Sequence, residues 1–285
     1  MEYILGTVQL GLNYGINNVV GKPSEEESFA ILNSAFDNGI FVLDTAGAYG
    51  DSERLLGEFQ RNTGKSFKIC SKFSGKGNLS DELHASLKAL SADSLYLYYL
   101  HKFDDCENSL TLDSIVSLKE QNIIERIGIS VYSPQELCFI IENLKSIIDV
   151  VQIPFSIVDN SRWISAITKA SENCLDIYCR SIFLQGAIFK SLDDEFVVSK
   201  NVGEHLSFIH DLCNKYGCDI GSLAFSFCDC FDGISAVLFG CETLAQLDQN
   251  IAMINNKIEI SDSDIHSIID KMKNINPNFI DPRLW

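Results

Sequence analysis

The feature that most constrains the fold is an alternation. Short apolar runs recur down the chain, and between them lie stretches with helical spacing and capping signals. The runs fall at 3–8 (YILGTV), 41–43 (FVL), 67–71, 94–100, 126–131, 149–153, 176–180 and 235–239. Several are continuously apolar rather than alternating, as strands buried on both faces of a parallel sheet must be. The intervening stretches carry helix punctuation. Ser24 and Glu27 form a capping box, with Phe29, Leu32 and Phe36 at helical spacing and Gly39 as the stop. Ser80 precedes Leu83, Leu87 and Leu90, and Ser133, Pro134 and Glu136 give a cap, a first-turn proline and a box partner. Further helices are expected at 111–118, 162–171, 204–216, 222–230, 243–251 and 262–272. Strands alternating with helices imply parallel pairing through right-handed crossovers. Eight such units in 285 residues predict a closed (β/α)8 TIM barrel. An open doubly wound sheet would need a glycine-rich dinucleotide turn after the first strand, and Gly6, Gly11 and Gly15 are spaced wrongly for one.

No linker or shift in composition interrupts the pattern, so one domain over residues 1–285 is expected. The net charge of −17 opposes binding to nucleic acid or to anionic membranes. No apolar run reaches the length of a membrane span. The start, MEYILGTVQL, lacks a basic region and does not read as a signal peptide. Ten cysteines in that context read as free thiols in a reducing, cytoplasmic setting, and Cys228 and Cys230 are too close and too isolated for a zinc site. No metal is expected.

The stretch 41–53, FVLDTAGAYGDSE, carries the first chemical signal. An apolar run stops at an acid, Asp44, and a phenol, Tyr49, follows in the loop beyond. In a barrel of parallel strands that end holds the chemistry. The next two strands end at Lys72 and His101. Each residue has an ordinary reading as a turn acid, packed ring, surface lysine or core histidine. Their placement at successive strand ends makes coincidence less probable than any single case. A phenol with an ordinary pKa of about 10 is a weak acid, and a neighbouring ammonium stabilises the phenolate. A carboxylate would fix that ammonium, and a histidine could donate a hydrogen bond to an oxygen gaining charge. Such a site suits protonation of an oxygen while a hydride arrives at carbon. A second reading makes Lys72 a Schiff-base lysine of a barrel aldolase.

The motifs LGTVQLG, GIFVLDTAGAYGDSERLLG, KICSKF, LYLYYLHKFDD, RIGISVYSP, VVQIPFS and LFGCETLAQLDQN run in order over essentially the whole chain. In this the chain resembles the aldo-keto reductase superfamily. The resemblance implies a (β/α)8 barrel, without the floor hairpin of many members because Tyr3 already begins a strand. It implies reduction of a small aldehyde or ketone, with NADPH or NADH held across the carboxyl end. It implies a tetrad of Asp44, Tyr49, Lys72 and His101, with Tyr49 as general acid. Ser130 and Gln152 would hold the nicotinamide carboxamide, although Val131 replaces the usual asparagine. Arg180 stands where an aromatic ring often stacks on the nicotinamide, and Gly6, Thr7, Ser181, Phe183 and Gln185 belong to the matching cofactor motifs. Gly240, Thr243, Gln246, Gln249 and Asn250 align with the adenosine site. That stretch, GCETLAQLDQN, has two acids, Glu242 and Asp248, and no base, so dual cofactor use or a mild NADH preference is expected. GISVYSP together with RSIFLQG is similar to bacterial members linked with sugar and surface-polysaccharide metabolism. The same fold also serves cofactor-binding regulatory proteins, such as the potassium-channel β subunits. Oligomeric state is not legible in the sequence.

Overall fold

The computed structural model describes residues 1–285. Eight strands form one closed barrel, each hydrogen-bonded in parallel to the next, with β8 returning to β1. The strands are β1 Glu2–Gly6, β2 Val42–Asp44, β3 Lys68–Phe73, β4 Leu95–Leu100, β5 Ile124–Ser130, β6 Val150–Pro154, β7 Asp176–Arg180 and β8 Ala236–Gly240. The eight predicted strands are all present.

The barrel separates two apolar regions. Inside it, Ile4, Val42, Cys70, Leu97, Tyr99, Val150, Tyr178, Ala236 and Leu238 fill the bore. Outside, strand side chains such as Leu5, Leu43, Ile129 and Val151 pack against the helices. Side chains thus fill the bore, which places a ligand at a rim. Toward the amino-terminal rim, Arg126 pairs with Asp176 and donates to the hydroxyls of Tyr96 (3.4 Å) and Tyr178 (3.3 Å).

Three local readings differ from the expected ones. The first strand ends at Gly6 rather than residue 8, because the Thr7 N–H turns to the Asp44 carbonyl (2.9 Å) and a one-turn helix, Val8–Gly11, follows. The helix expected from Ser80 begins at Leu79, capped by Asn78, whose side chain accepts from Ser80 N and Asp81 N. The Ser24–Glu27 box is only half made. Ser24 accepts from Glu27 N, whereas the Glu27 carboxylate reaches across to Leu244 N at 2.8 Å. The Ser133–Glu136 box closes in both directions.

Candidate active site

Strand register brings the predicted site residues to one rim. Gly6 lies beside Asp44 and Gly240, Lys72 beside Tyr99, and Ser130 beside Gln152. A cleft of about 660 Å3 opens there, lined by Asp44, Tyr49 and His101 among others. A groove of about 860 Å3 on the opposite rim, flanked by Lys65, Lys68 and Tyr96, contains none of the four tetrad candidates.

Lys72 lies beneath the cleft, 3% exposed, beside Asp44 at 5%. Its ammonium donates to Asp44 Oδ1 at 2.5 Å and to the Thr45 carbonyl at 2.8 Å. Gln152 Nε2 donates to the other carboxylate oxygen at 3.0 Å. The same ammonium lies 4.7 Å from the Tyr49 ring centroid. Burial alone would push Lys72 down, but Asp44 and then Tyr49 outweigh it and hold the ammonium well above the ordinary lysine value. Its charge is thus permanent across the physiological range. His101 is shifted the opposite way. Burial first, then the charge of Lys72, push its pKa down to about 4. The ring is neutral at neutral pH, with one N–H to donate and one nitrogen able to accept.

The loop that carries Tyr49 is held from below. The hydroxyls of Thr7 and Ser52 lie 2.7 Å apart, and those of Thr45 and Ser52 lie 3.0 Å apart. Thr7 Oγ1 also donates to the Asp44 carbonyl at 3.0 Å. Gly11 makes room for this loop, since a Cβ there would fall 1.7 Å from the Tyr49 carbonyl oxygen. Ser52 and Glu53, at the start of the helix Ser52–Thr63, are both buried. Glu53 accepts from Ser71 Oγ at 2.6 Å, and burial raises its pKa despite that bond.

From the tetrad the cleft runs along one wall and on to a far end. Gly6, Thr7, Ser130 and Gln152 lie at the tetrad end, although the Thr7 hydroxyl is engaged within the protein. Arg180, Ser181, Phe183 and Gln185 form the wall. The Arg180 guanidinium stacks 4.2 Å from the Tyr132 ring centroid, and Arg283 lies 3.7 Å from the same centroid. Backbone at Ser181, Leu184, Gln185 and Gly186 is left-handed, a rare sequence of conformations that curls this wall. Gly240, Gln246, Gln249 and Asn250 line the far end. Thr243 does not; its hydroxyl caps the helix Leu244–Asn255 by accepting from Gln246 N. Near the far end, burial and then the carboxylates of Glu242, Glu27 and Asp248 push the Cys241 thiol well up, so three acids gather there.

Sequence reasoning missed the polar lining residues Gln9, Tyr14, Asn17 and Tyr132. Tyr14 and Asn17 belong to a loop recognisable from sequence only as polar and glycine-rich. Asn17 Nδ2 donates to the Gly186 carbonyl at 2.7 Å and so ties that loop to the opposite wall. Gln9 Oε1 is buried without a partner, which marks it as an acceptor for something bound in the cleft.

Residues 2–273 match the model of the aldo/keto reductase family. The chain belongs to the aldo/keto reductase family. Among curated relatives, the chloroplastic pyridoxal reductase of Arabidopsis thaliana is 31% identical over 39% of this chain and 37% of that protein. The aldo-keto reductase YhdN of Bacillus subtilis is 21% identical over 98% of this chain and 93% of its own length. The chain spans about two fifths of the length of the curated relatives first matched. A solved aldo-keto reductase from Bacillus halodurans, in its holo form, superposes with a TM-score of 0.74 at 18% identity, covering 98% of this chain and 95% of that one. That likeness supports the (β/α)8 barrel.

The cleft of this family member fits a nicotinamide dinucleotide. It carries amide and hydroxyl groups at the tetrad end and amides at the far end, and contains an orphaned buried acceptor at Gln9. No group of three or more His, Cys, Asp or Glu side chains is placed to hold a metal ion. No helix is long and apolar enough to cross a membrane.

Proposed function

We propose that this protein reduces the carbonyl group of a small aldehyde or ketone to an alcohol, using NADH or NADPH. A bound dihydronicotinamide supplies the hydride. Tyr49 delivers the proton to the carbonyl oxygen. Lys72 lies against the phenol as a fixed positive charge that stabilises the phenolate left behind. Asp44 keeps Lys72 charged and in place, and Gln152 holds Asp44 from the other side. Neutral His101 donates to the same oxygen as charge develops on it. The single observation that carries this reading is the buried Asp44–Lys72 pair set beneath Tyr49 at the floor of the cleft.

The same pair weighs against Lys72 as a Schiff-base nucleophile, which must be neutral to attack. A sugar-derived carbonyl suits the hydroxyls of Tyr14 and Tyr132 and the amides of Asn17 and Gln185 in the cleft lining. All ten cysteines are free thiols, which suits a reducing compartment such as the cytoplasm. The test is oxidation of reduced cofactor, followed by absorbance, with a panel of sugar-derived and simple aldehydes. Turnover that disappears in Tyr49→Phe supports the proposal. Wild-type protein that binds reduced cofactor yet reduces no member of the panel points instead to a regulatory role.

A further inference from the structure

A dinucleotide with its nicotinamide beside Tyr49 and His101 places its adenosine at the far end of the cleft, among Gly240, Glu242, Gln246 and Asn250. NADPH differs from NADH there by a phosphate on the ribose. A dianion of that kind needs N–H donors and cations, and a helix start is the usual source of donors. In this protein three of the donors around that start are already taken. Glu242 N donates to Gln246 Oε1 at 2.7 Å, Leu244 N to Glu27 Oε1 at 2.8 Å, and Gln246 N to Thr243 Oγ1 at 3.2 Å. Of the first three helical residues, only Ala245 has no such internal acceptor.

The charges point the same way. Glu242 lines the cleft, and the Glu27 carboxylate sits on the helix start itself. Asp248, the other acid in the sequence motif, is turned toward Ser34 Oγ at 3.2 Å on a neighbouring helix. The only lysine or arginine in the cleft lining is Arg180, in the wall next to the tetrad end.

We propose that the far end of the cleft selects NADH by excluding the ribose phosphate, and that Glu242 and Glu27 are the residues responsible. This rests on the reading that the cleft holds a nicotinamide dinucleotide. Glu242 repels a phosphate and offers an acceptor to a ribose hydroxyl. Glu27 occupies the backbone donor that a phosphate would otherwise use, and adds a second negative charge. The assignment of Glu27 comes from the diverted capping box, a contact between helices at opposite ends of the chain.

The test is calorimetric titration of the purified protein with NADH and NADPH, and with AMP and adenosine 2′,5′-bisphosphate as adenosine-end probes. NADH is expected to bind at least about tenfold more tightly than NADPH, and AMP more tightly than the bisphosphate, where tenfold is about 1.4 kcal/mol. Glu242→Gln and Glu27→Gln keep the shape of each side chain and remove one charge. Each is expected to narrow the NADH-to-NADPH ratio by about three- to tenfold, mainly through a gain in NADPH affinity. Wild-type protein that binds NADPH as tightly as NADH overturns the proposal, as does a ratio unmoved in both variants. Binding of neither dinucleotide overturns the underlying reading and the proposal together. Tight NADH binding without carbonyl turnover leaves this assignment standing and removes only the proposed reaction.

Discussion

The two ends of the cleft use charge in opposite ways. At the tetrad end, Lys72 and Asp44 are buried together, and every strong charge has a partner within hydrogen-bond distance. At the far end, Glu242 and Glu27 are partly exposed acids with no basic side chain beside them in the cleft. A buried pair holds a geometry, and removing one partner strands the other in a low-dielectric site. A half-exposed acid is screened and can be altered in small steps. Reaction chemistry is therefore expected at the rigid end and cofactor choice at the adjustable one.

The largest effect should come from the rigid end. Tyr49→Phe keeps the ring and removes the proton, so turnover should fall by about 10² to 10⁴-fold with cofactor affinity retained. A variant within about threefold of wild type would remove the phenol from its role. Next comes Lys72→Met, which abolishes the buried pair. Urea unfolding should show a loss on the order of 3–5 kcal/mol, most activity should disappear, and the pH–rate profile of what remains should move. An unchanged profile would mean that the ammonium does not act on the phenol. Asp44→Asn should do less damage, since Lys72 keeps the Thr45 carbonyl as acceptor.

His101 gives a third, smaller test, through stability. It stays neutral in the folded protein down to about pH 4, whereas in the unfolded chain it takes up a proton near pH 6.5. Because the folded pKa is depressed, the associated stability is fully present above about pH 6.5 and is lost as the pH falls toward 4. The total is on the order of 3 kcal/mol. Urea midpoints measured across that window should fall less steeply in His101→Gln than in wild type. Equal slopes would show that the ring is not buried as described.

The smallest effect belongs to the adjustable end. Gln246→Arg frees the Glu242 N–H from the Gln246 amide oxygen and adds a cation. The ratio of kcat/KM with NADPH to that with NADH should rise by about tenfold, or 1.4 kcal/mol. No movement in the ratio would place cofactor choice outside this helix start.

This contrast also separates what was legible in the sequence from what was not. Asp44, Lys72 and His101 could be found because each follows an apolar run, and a barrel sends all such ends to one rim. The hydroxyl cluster of Thr7, Thr45 and Ser52 could not, because each residue alone has an ordinary local use in turns or caps. The burial of Glu53 could not be foreseen for the same reason. Acid at a helix start normally faces water and the helix dipole, but here the helix Ser52–Thr63 begins under the loop it supports. Glu27 shows the limit most clearly. Its spacing from Ser24 fits a capping box, and only the packing of its helix against Leu244–Asn255 shows where the carboxylate goes.

The seam of the barrel has a consequence for synthesis. Glu2 pairs with Ala236 and Gly6 with Gly240, so the first strand finds one of its two neighbours only after roughly 230 further residues have been made. At about 5–20 residues per second, that is a wait on the order of ten to fifty seconds. Throughout it, one edge of Tyr3-Ile4-Leu5 has no partner strand and can pair with any other extended chain nearby. Nascent chains arrested before Ala236–Gly240 emerges should remain open to protease at β1, and chains arrested after it should be closed. The last strand thus acts as the ring's clasp.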